Sequence, residues 1–439
     1  VGYDLYSDWA YENGAFCLQA NLGWAIQLAA ETARLNGDET AYQKLYAASR
    51  NLPLKDKIPA NPDIMPELAA DSFYHDWLRN PQPGEYWEKL SPKHLLQDVD
   101  LPMLHIGGWF DPYLRGTLNL YQAMSQKSKY AQHLIIAPWA HLPWGRKLGA
   151  VDYGMEAQNF IDEIQIRWFD HFLKGKDTGI LAEAPISLFE MGSNQWRYWK
   201  EFPEQATTYY LASDGLAGMK EYSGMLWEYQ EEEDNLIAEN SNPLSTTSQD
   251  LENYLTTDIT ADFDNTKDII VHDPWRPVPV LGGHASFPGG SCDRSSLDCR
   301  SDILTYTSYP LETDLHITGI VIVELYCDAD KPSFDLCAVL SEVHADGKVF
   351  NFTQGYTKID SVSNPVTIPL QATCMKLTAG NSLRLSLSAA CFPAYPVNSG
   401  TGKSLLESRL IDNQIITISI MSGADYPSLV RLKTVLPNL

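Results

Sequence analysis

The sequence predicts a mixed fold, α/β plus all-β: a helical segment, a parallel sheet covered by helices, and a β-sandwich of jelly-roll type. Three observations predict it. Residues 1–97 carry helical periodicity with little β signal. Residues 98–204 alternate short apolar runs with amphipathic stretches, the texture of a parallel sheet packed against helices. Residues 205–439 are rich in strand patterns with no helix between them, as in sandwiches and jelly rolls.

Taking the elements in order, residues 16–35 space Leu18, Leu22, Ala25, Ile26 and Ala29 along one helical face. The run Pro81-Gln82-Pro83-Gly84 punctuates a passage dense in Trp and Tyr. Residues 102–106 form a short apolar run ending at Gly107-Gly108, a buried parallel strand. A helix over 112–126 follows, with proline in its first turn, where a missing N–H costs nothing. Residues 133–137 make the next strand. Over 155–173 the spacing sets Phe160, Ile161, Ile164, Trp168, Phe169 and Phe172 on one stripe, and Lys174-Gly175 stops that helix. The acidic run 231–234 and the polar stretch 240–248 read as a surface connection. Strands are expected over 315–326, 334–343, 349–357, 382–388 and 415–421, with Asp346-Gly347 as a hairpin turn.

Composition bounds the function. At 439 residues the chain holds two or three cores. A net charge of -24 argues against a nucleic-acid partner, which needs clustered Lys and Arg, and no apolar run reaches the length of a membrane span. Seven scattered cysteines, without C-x-x-C or zinc spacing, favour reduced thiols, with Cys292 and Cys299 the one pair close in sequence. The compartment stays open with the cytoplasm favoured, and a homo-oligomer is allowed. Val1 is not an initiator methionine and the chain opens like the interior of a domain, so an upstream segment is expected.

The residues that carry chemistry stand after the two parallel strands. Gly107-Gly108-Trp109-Phe110-Asp111 closes the first, and Ala137-Pro138-Trp139-Ala140-His141 closes the second. Ligands and catalytic groups collect at that end of parallel sheets. Asp then His on successive loops suits an acid that orients an imidazole base. Each alone has a plainer reading: Asp111 as the cap of the next helix, His141 as an ordinary loop residue. His105 reads as a satisfied core histidine and His171 as solvent-facing. Asn351-Phe352-Thr353 is a glycosylation sequon inside a predicted strand.

The segment LPMLHIGGWFDPYLRGTLNLY (101–121) is similar to the part of the CocE/NonD hydrolase family that carries the catalytic aspartate. APWAH (137–141) resembles that family's GPW-x-H segment with the catalytic histidine, with Ala137 in place of the first glycine. RWFDHFLKGKDTG (167–179) looks like the helix after the histidine, and AGNSLRLSLSAACFPAYPVNSGTG (379–402) resembles the signature of the family's jelly-roll domain. The resemblance runs in family order from Asp8 to the last residues. It implies a helical cap, the C-terminal half of an α/β-hydrolase sheet and a galactose-binding-like jelly roll. It further implies a serine hydrolase of small-molecule esters or amides with no cofactor and no metal, in which Asp111 and His141 are catalytic.

The resemblance also exposes a gap. The family's serine sits in a G-x-S-Y-x-G elbow ahead of the cap, and no G-x-S-x-G occurs in this chain. Gly192-Ser193 and Gly283-His284-Ala285-Ser286 are the nearest lookalikes. The serine and its oxyanion hole are therefore expected from an upstream segment, and this chain alone is expected to be close to inert. Trp9, Trp24 and Tyr113 match aromatic positions of the family's acyl pocket, and Phe110 and Trp139 flank the acid and base; the plainer role of the tryptophans is to anchor the cap. The amino-acid ester hydrolases of the family follow the Asp with carboxylates, whereas Pro112-Tyr113-Leu114-Arg115 stands here. That disfavours an ammonium-bearing substrate. Arg115 either meets a substrate carboxylate or sits on the exposed face of its helix. The alternative from another class is a non-catalytic jelly-roll protein binding carbohydrate or a partner.

Overall fold

A computed structural model describes residues 2–142, 144–202, 205–229 and 264–434. The acidic run 231–234 and the polar stretch 240–248 lie outside the described residues. Five helices build the N-terminal segment: α1 (Leu18–Leu35), α2 (Glu39–Arg50), α3 (Ile64–Leu68), α4 (Phe73–Arg79) and α5 (Glu85–Leu90). Their apolar faces converge on Leu22, Ile26, Leu45, Met65, Tyr74 and Trp87. Asp38 caps α2 by accepting from Ala41 N–H at 2.9 Å, which satisfies a donor that a helix start leaves unpaired.

The next unit is a four-stranded sheet. Strands β1 (Met103–Phe110), β2 (Gln132–Ala140) and β3 (Ile186–Glu190) are parallel, and β4 (Gln195–Trp199) closes the edge antiparallel. Helix α6 (Leu114–Lys127) joins β1 to β2, and α7 (Ile161–Lys174) lies between β2 and β3. All nine residues of β2 are buried, as expected for a strand flanked on both sides. His105 is buried and bonds Gln132 Oε1 at 3.0 Å.

The helix expected over 155–173 begins only at Ile161. The Asn159 side chain accepts from Ile161 N–H at 2.9 Å, and such a local bond ends the preceding 3-10 turn, Met155–Ala157, and starts a new helix. Gly175 closes α7 at φ 66°, with Gly175 N–H donating to His171 O. Phe169 leaves the predicted stripe and is 54% exposed, because it stands about 100° around the helix from buried Trp168. His171 is only partly exposed, with its Nδ1 buried.

Residues 205–434 contribute thirteen strands. Nearly every pairing is antiparallel; Gly224–Tyr229 against Ile303–Ser308 is parallel. The expected strand over 315–326 is two, Leu315–Gly319 and Ile322–Ala329. Gly319, at φ 119°, turns the chain between them so that each pairs with different partners. Phe334–Val343 and Val349–Ile359 form the expected hairpin, with Gly347 in the left-handed region at φ 84°. Asn351 is buried and spends its amide on Leu281 O and Cys292 N–H, as a strand residue does. One continuous apolar core runs from Leu134, Ile136 and Leu188 of the parallel sheet to Leu336, Leu385 and Ile418 of the β-rich unit. All seven cysteines, Cys292 and Cys299 included, are free thiols.

Candidate active site at the strand ends

Strands β1 and β2 run side by side until a bulge shifts the register between Gly108 and Phe110. A Cβ at Gly108 would lie 2.3 Å from Trp139 O, so only glycine allows the two strand ends to approach this closely. The bulge re-aims the chain at the sheet's C-terminal edge. There Asp111 and His141 each stand one residue past their strand.

The two side chains meet. His141 Nδ1 lies 3.2 Å from Asp111 Oδ2. The other carboxylate oxygen, Oδ1, accepts from Tyr113 N–H at 2.8 Å. The plain reading of Asp111 as a turn-former and the chemical reading as an orienting acid are therefore both realised, one oxygen for each. Asp111 has a side chain only 13% exposed, whereas His141 is 60% exposed. The hydrogen bond to Asp111, set against partial desolvation, raises the imidazole above its ordinary 6.5, as expected for a cation partnered by a carboxylate. Trp144 Nε1 donates to His141 O at 2.9 Å and stacks on Trp139 at 5.7 Å, which supports the loop from below.

An aromatic ladder leads from the cap to the base. Trp77 contacts Trp9 at 6.3 Å, Trp9 contacts Tyr113 at 4.4 Å, and Tyr113 meets His141 edge-on at 4.8 Å. Burial and the Asp111 charge push the Tyr113 phenol well up, so it remains protonated.

The structure corrects several sequence expectations. Trp24 is 47% exposed on α1 and takes no part in the ladder. It therefore neither anchors the cap nor touches the described part of the site. Phe110 and Trp139 are 2% and 1% exposed. They pack against Tyr153 and Phe160 in the core instead of lining a pocket. Arg115 is not on an exposed face. Its guanidinium pairs with Glu12 at 3.0 Å, where Glu12 also takes His284 Nε2 at 3.0 Å and Tyr395 Oη at 2.6 Å. Burial opposes the Glu12 charge, but Arg115, His284 and Tyr395 hold its carboxyl down at about 2. The cation expected near the substrate is thus neutralised inside the protein. Sequence spacing gave no signal for this cluster, because its members come from all three units.

Neither serine lookalike reaches the imidazole. Ser193 donates to Glu190 Oε2, and Ser286 donates to Pro288 O at 2.7 Å. The loop 283–290 was silent in sequence, yet it lies beside β1: a Cβ at Gly289 would sit 3.6 Å from Phe110 O. Among the described residues no group of three or more His, Cys, Asp or Glu is placed to hold a metal ion. No helix among them is long and apolar enough to cross a membrane.

Comparison with known proteins agrees with this geometry. Residues 1–143 match the X-Pro dipeptidyl-peptidase (S15 family) model, and residues 178–431 match the model of the X-Pro dipeptidyl-peptidase C-terminal non-catalytic domain. The cocaine esterase of Rhodococcus sp. is 24% identical over 464 residues, spanning 98% of this chain and 74% of that protein. An α-amino acid ester hydrolase superposes with a TM-score of 0.69 at 18% identity, over 99% of this chain and 71% of its own. A CocE/NonD family hydrolase from Staphylococcus aureus does so at 0.57 and 12%, over 99% and 66%. At such identities the structural likenesses speak for the fold alone. With more than half its length matched by one family model, the chain belongs to the X-Pro dipeptidyl-peptidase (S15) family of CocE/NonD-like hydrolases.

Proposed function

We propose that this chain supplies the acid and base of a serine hydrolase that cleaves carboxylic esters or amides with a hydrophobic acyl group. The observation that carries the reading is the 3.2 Å contact between Asp111 and His141 at adjacent parallel strand ends. In this reading the β1–β4 sheet is the C-terminal half of an α/β-hydrolase sheet, residues 1–97 are its cap, and residues 205–439 are its jelly roll.

The chemistry follows from the two groups. Asp111 fixes the imidazole with Nδ1 protonated and Nε2 free to accept a proton. His141 Nε2 takes the serine hydroxyl proton as the oxygen attacks the substrate carbonyl. It then returns that proton to the leaving alcohol or amine, and the acyl group rests on the serine. Water repeats the cycle: His141 accepts its proton, the acyl–serine bond breaks, and the acid leaves. The serine and its oxyanion donors come from sequence outside residues 1–439, which agrees with the 74% of the Rhodococcus relative that this chain spans. Trp9 and Tyr113, stacked beside His141, offer an apolar wall to the acyl group. With Arg115 held by Glu12, the site presents neither a free cation nor an acidic cluster beside the Asp111 turn. A hydrophobic neutral acyl group suits it better than an amino-acid ester. A purely binding jelly roll gives no reason for a buried carboxylate to hold an exposed imidazole.

Fluorophosphonate labelling of the complete protein, followed by peptide mapping, tests the reading. The expected adduct lies on a serine outside residues 1–439 and disappears in His141→Ala. An adduct on any serine within residues 1–439 refutes the assignment.

A further inference from the structure

The acid is reached from an unexpected direction. The β1–β2 register shifts between Gly108 and Phe110, and Trp109 has no strand partner in the ladder. Trp109 itself is 3% exposed, so its carbonyl must find a donor elsewhere. Asp111 O accepts from Leu114 N–H at 3.1 Å, which starts α6, and it retains a second lone pair. Both carbonyls receive the same group. Gln371 Nε2, from the β-rich domain, donates to Trp109 O at 3.1 Å and to Asp111 O at 2.9 Å, across 260 residues of sequence.

Gln371 is built to hold that position. It is 4% exposed. Its N–H donates to Gln354 O at 2.9 Å, and its carbonyl accepts from Thr353 Oγ1 at 2.6 Å. The backbone beneath the side chain is thus fixed on both sides. The amide orientation is fixed as well: turned over, Oε1 would face two carbonyl oxygens. As oriented, Nε2 spends both hydrogens on the carbonyls that bracket Phe110.

We infer that Gln371 is a positioning residue for catalysis, by which the β-rich domain sets the Asp111 turn and so the register of the Asp111 carboxylate with His141. The inference rests on the proposed roles of Asp111 and His141. The clamp acts on backbone on either side of Phe110, the last residue of β1, so freeing it lets the Asp111 turn move relative to β2. A displacement of about 1 Å at such a pair costs on the order of 10²-fold in rate. The domain named as non-catalytic in the family description would then contribute to kcat without touching substrate.

The test uses the complete protein with p-nitrophenyl acetate. Gln371→Met keeps the volume and deletes both donors; Gln371→Glu sets a carboxylate against the two carbonyls. In folded, purified variants kcat should fall on the order of 10²-fold with KM nearly unchanged. The acid limb of the pH–rate profile should move to lower pH, because loosening the Asp111 bond removes what raises the His141 pKa. Wild-type kcat and an unmoved limb in either folded variant overturn the inference, even if its melting temperature drops. Failure of both variants to fold also overturns it, since the residue would then be a requirement of the fold. His141→Ala, run alongside, separates the two ideas: full activity there sinks the acid–base assignment itself, whatever Gln371 does.

Discussion

Replacing Glu12 by glutamine removes the one negative charge at the meeting point of the cap, α6 and the β-rich domain. The Glu12 and His284 side chains are 2% and 3% exposed, and Arg115 reaches the same carboxylate. The carboxyl is held at about 2 against an ordinary 4.5. At about 1.4 kcal/mol for each pH unit of displacement, the ionised group contributes about 3 kcal/mol at neutral pH. Because the folded value is depressed, that contribution is fully present above 4.5 and is lost as pH falls toward 2. Glu12→Gln should therefore cost about 3 kcal/mol at pH 7, in line with unpairing a buried ion pair. By pH 3, where the wild type has itself lost about 2 kcal/mol of this term, the difference should shrink to about 1 kcal/mol. Urea unfolding followed by tryptophan fluorescence at both pH values measures it. A cost below 1 kcal/mol at pH 7, or an equal cost at both, would refute the ionised cluster.

Other perturbations test other links. Asp111→Asn in the complete protein should lower kcat by about 10⁴-fold and shift the acid limb of the pH–rate profile downward, since Asp111 raises His141; an unmoved limb would break the pairing. Trp9→Ala removes the ring that stacks on Tyr113. It should reduce the preference for butyrate over acetate p-nitrophenyl esters by about tenfold or more, and an unchanged ratio would remove Trp9 from the acyl wall. Gly108→Ala places a methyl 2.3 Å from Trp139 O and should destabilise the protein by about 1–3 kcal/mol. Calorimetry showing no loss would mean that the strand ends can part freely.

The parts of this molecule that were legible in sequence are those fixed by local pattern. The apolar runs ending in Gly107-Gly108 and at Trp139 read directly as β1 and β2, so Asp111 and His141 could be set at neighbouring strand ends. Gly175 marked the end of α7, and Asp346-Gly347 marked its hairpin. What stayed hidden depends on long-range contact. Arg115 looks like a surface cation on a helix until Glu12, His284 and Tyr395 are folded around it. Gln371 carries no sign of its two distant carbonyls. Phe110 and Trp139 sit next to the reacting residues in sequence, yet strand alternation turns their side chains into the core. Asn159 cut a predicted helix short through a bond that propensity does not weigh.

The measurement that bears most directly on the central claim is turnover of p-nitrophenyl acetate by the complete protein and its His141→Ala variant. With His141 as the base, kcat/KM should fall by at least about 10⁴-fold while the variant keeps the wild-type melting temperature. Activity within tenfold of wild type would contradict the account and place the base elsewhere.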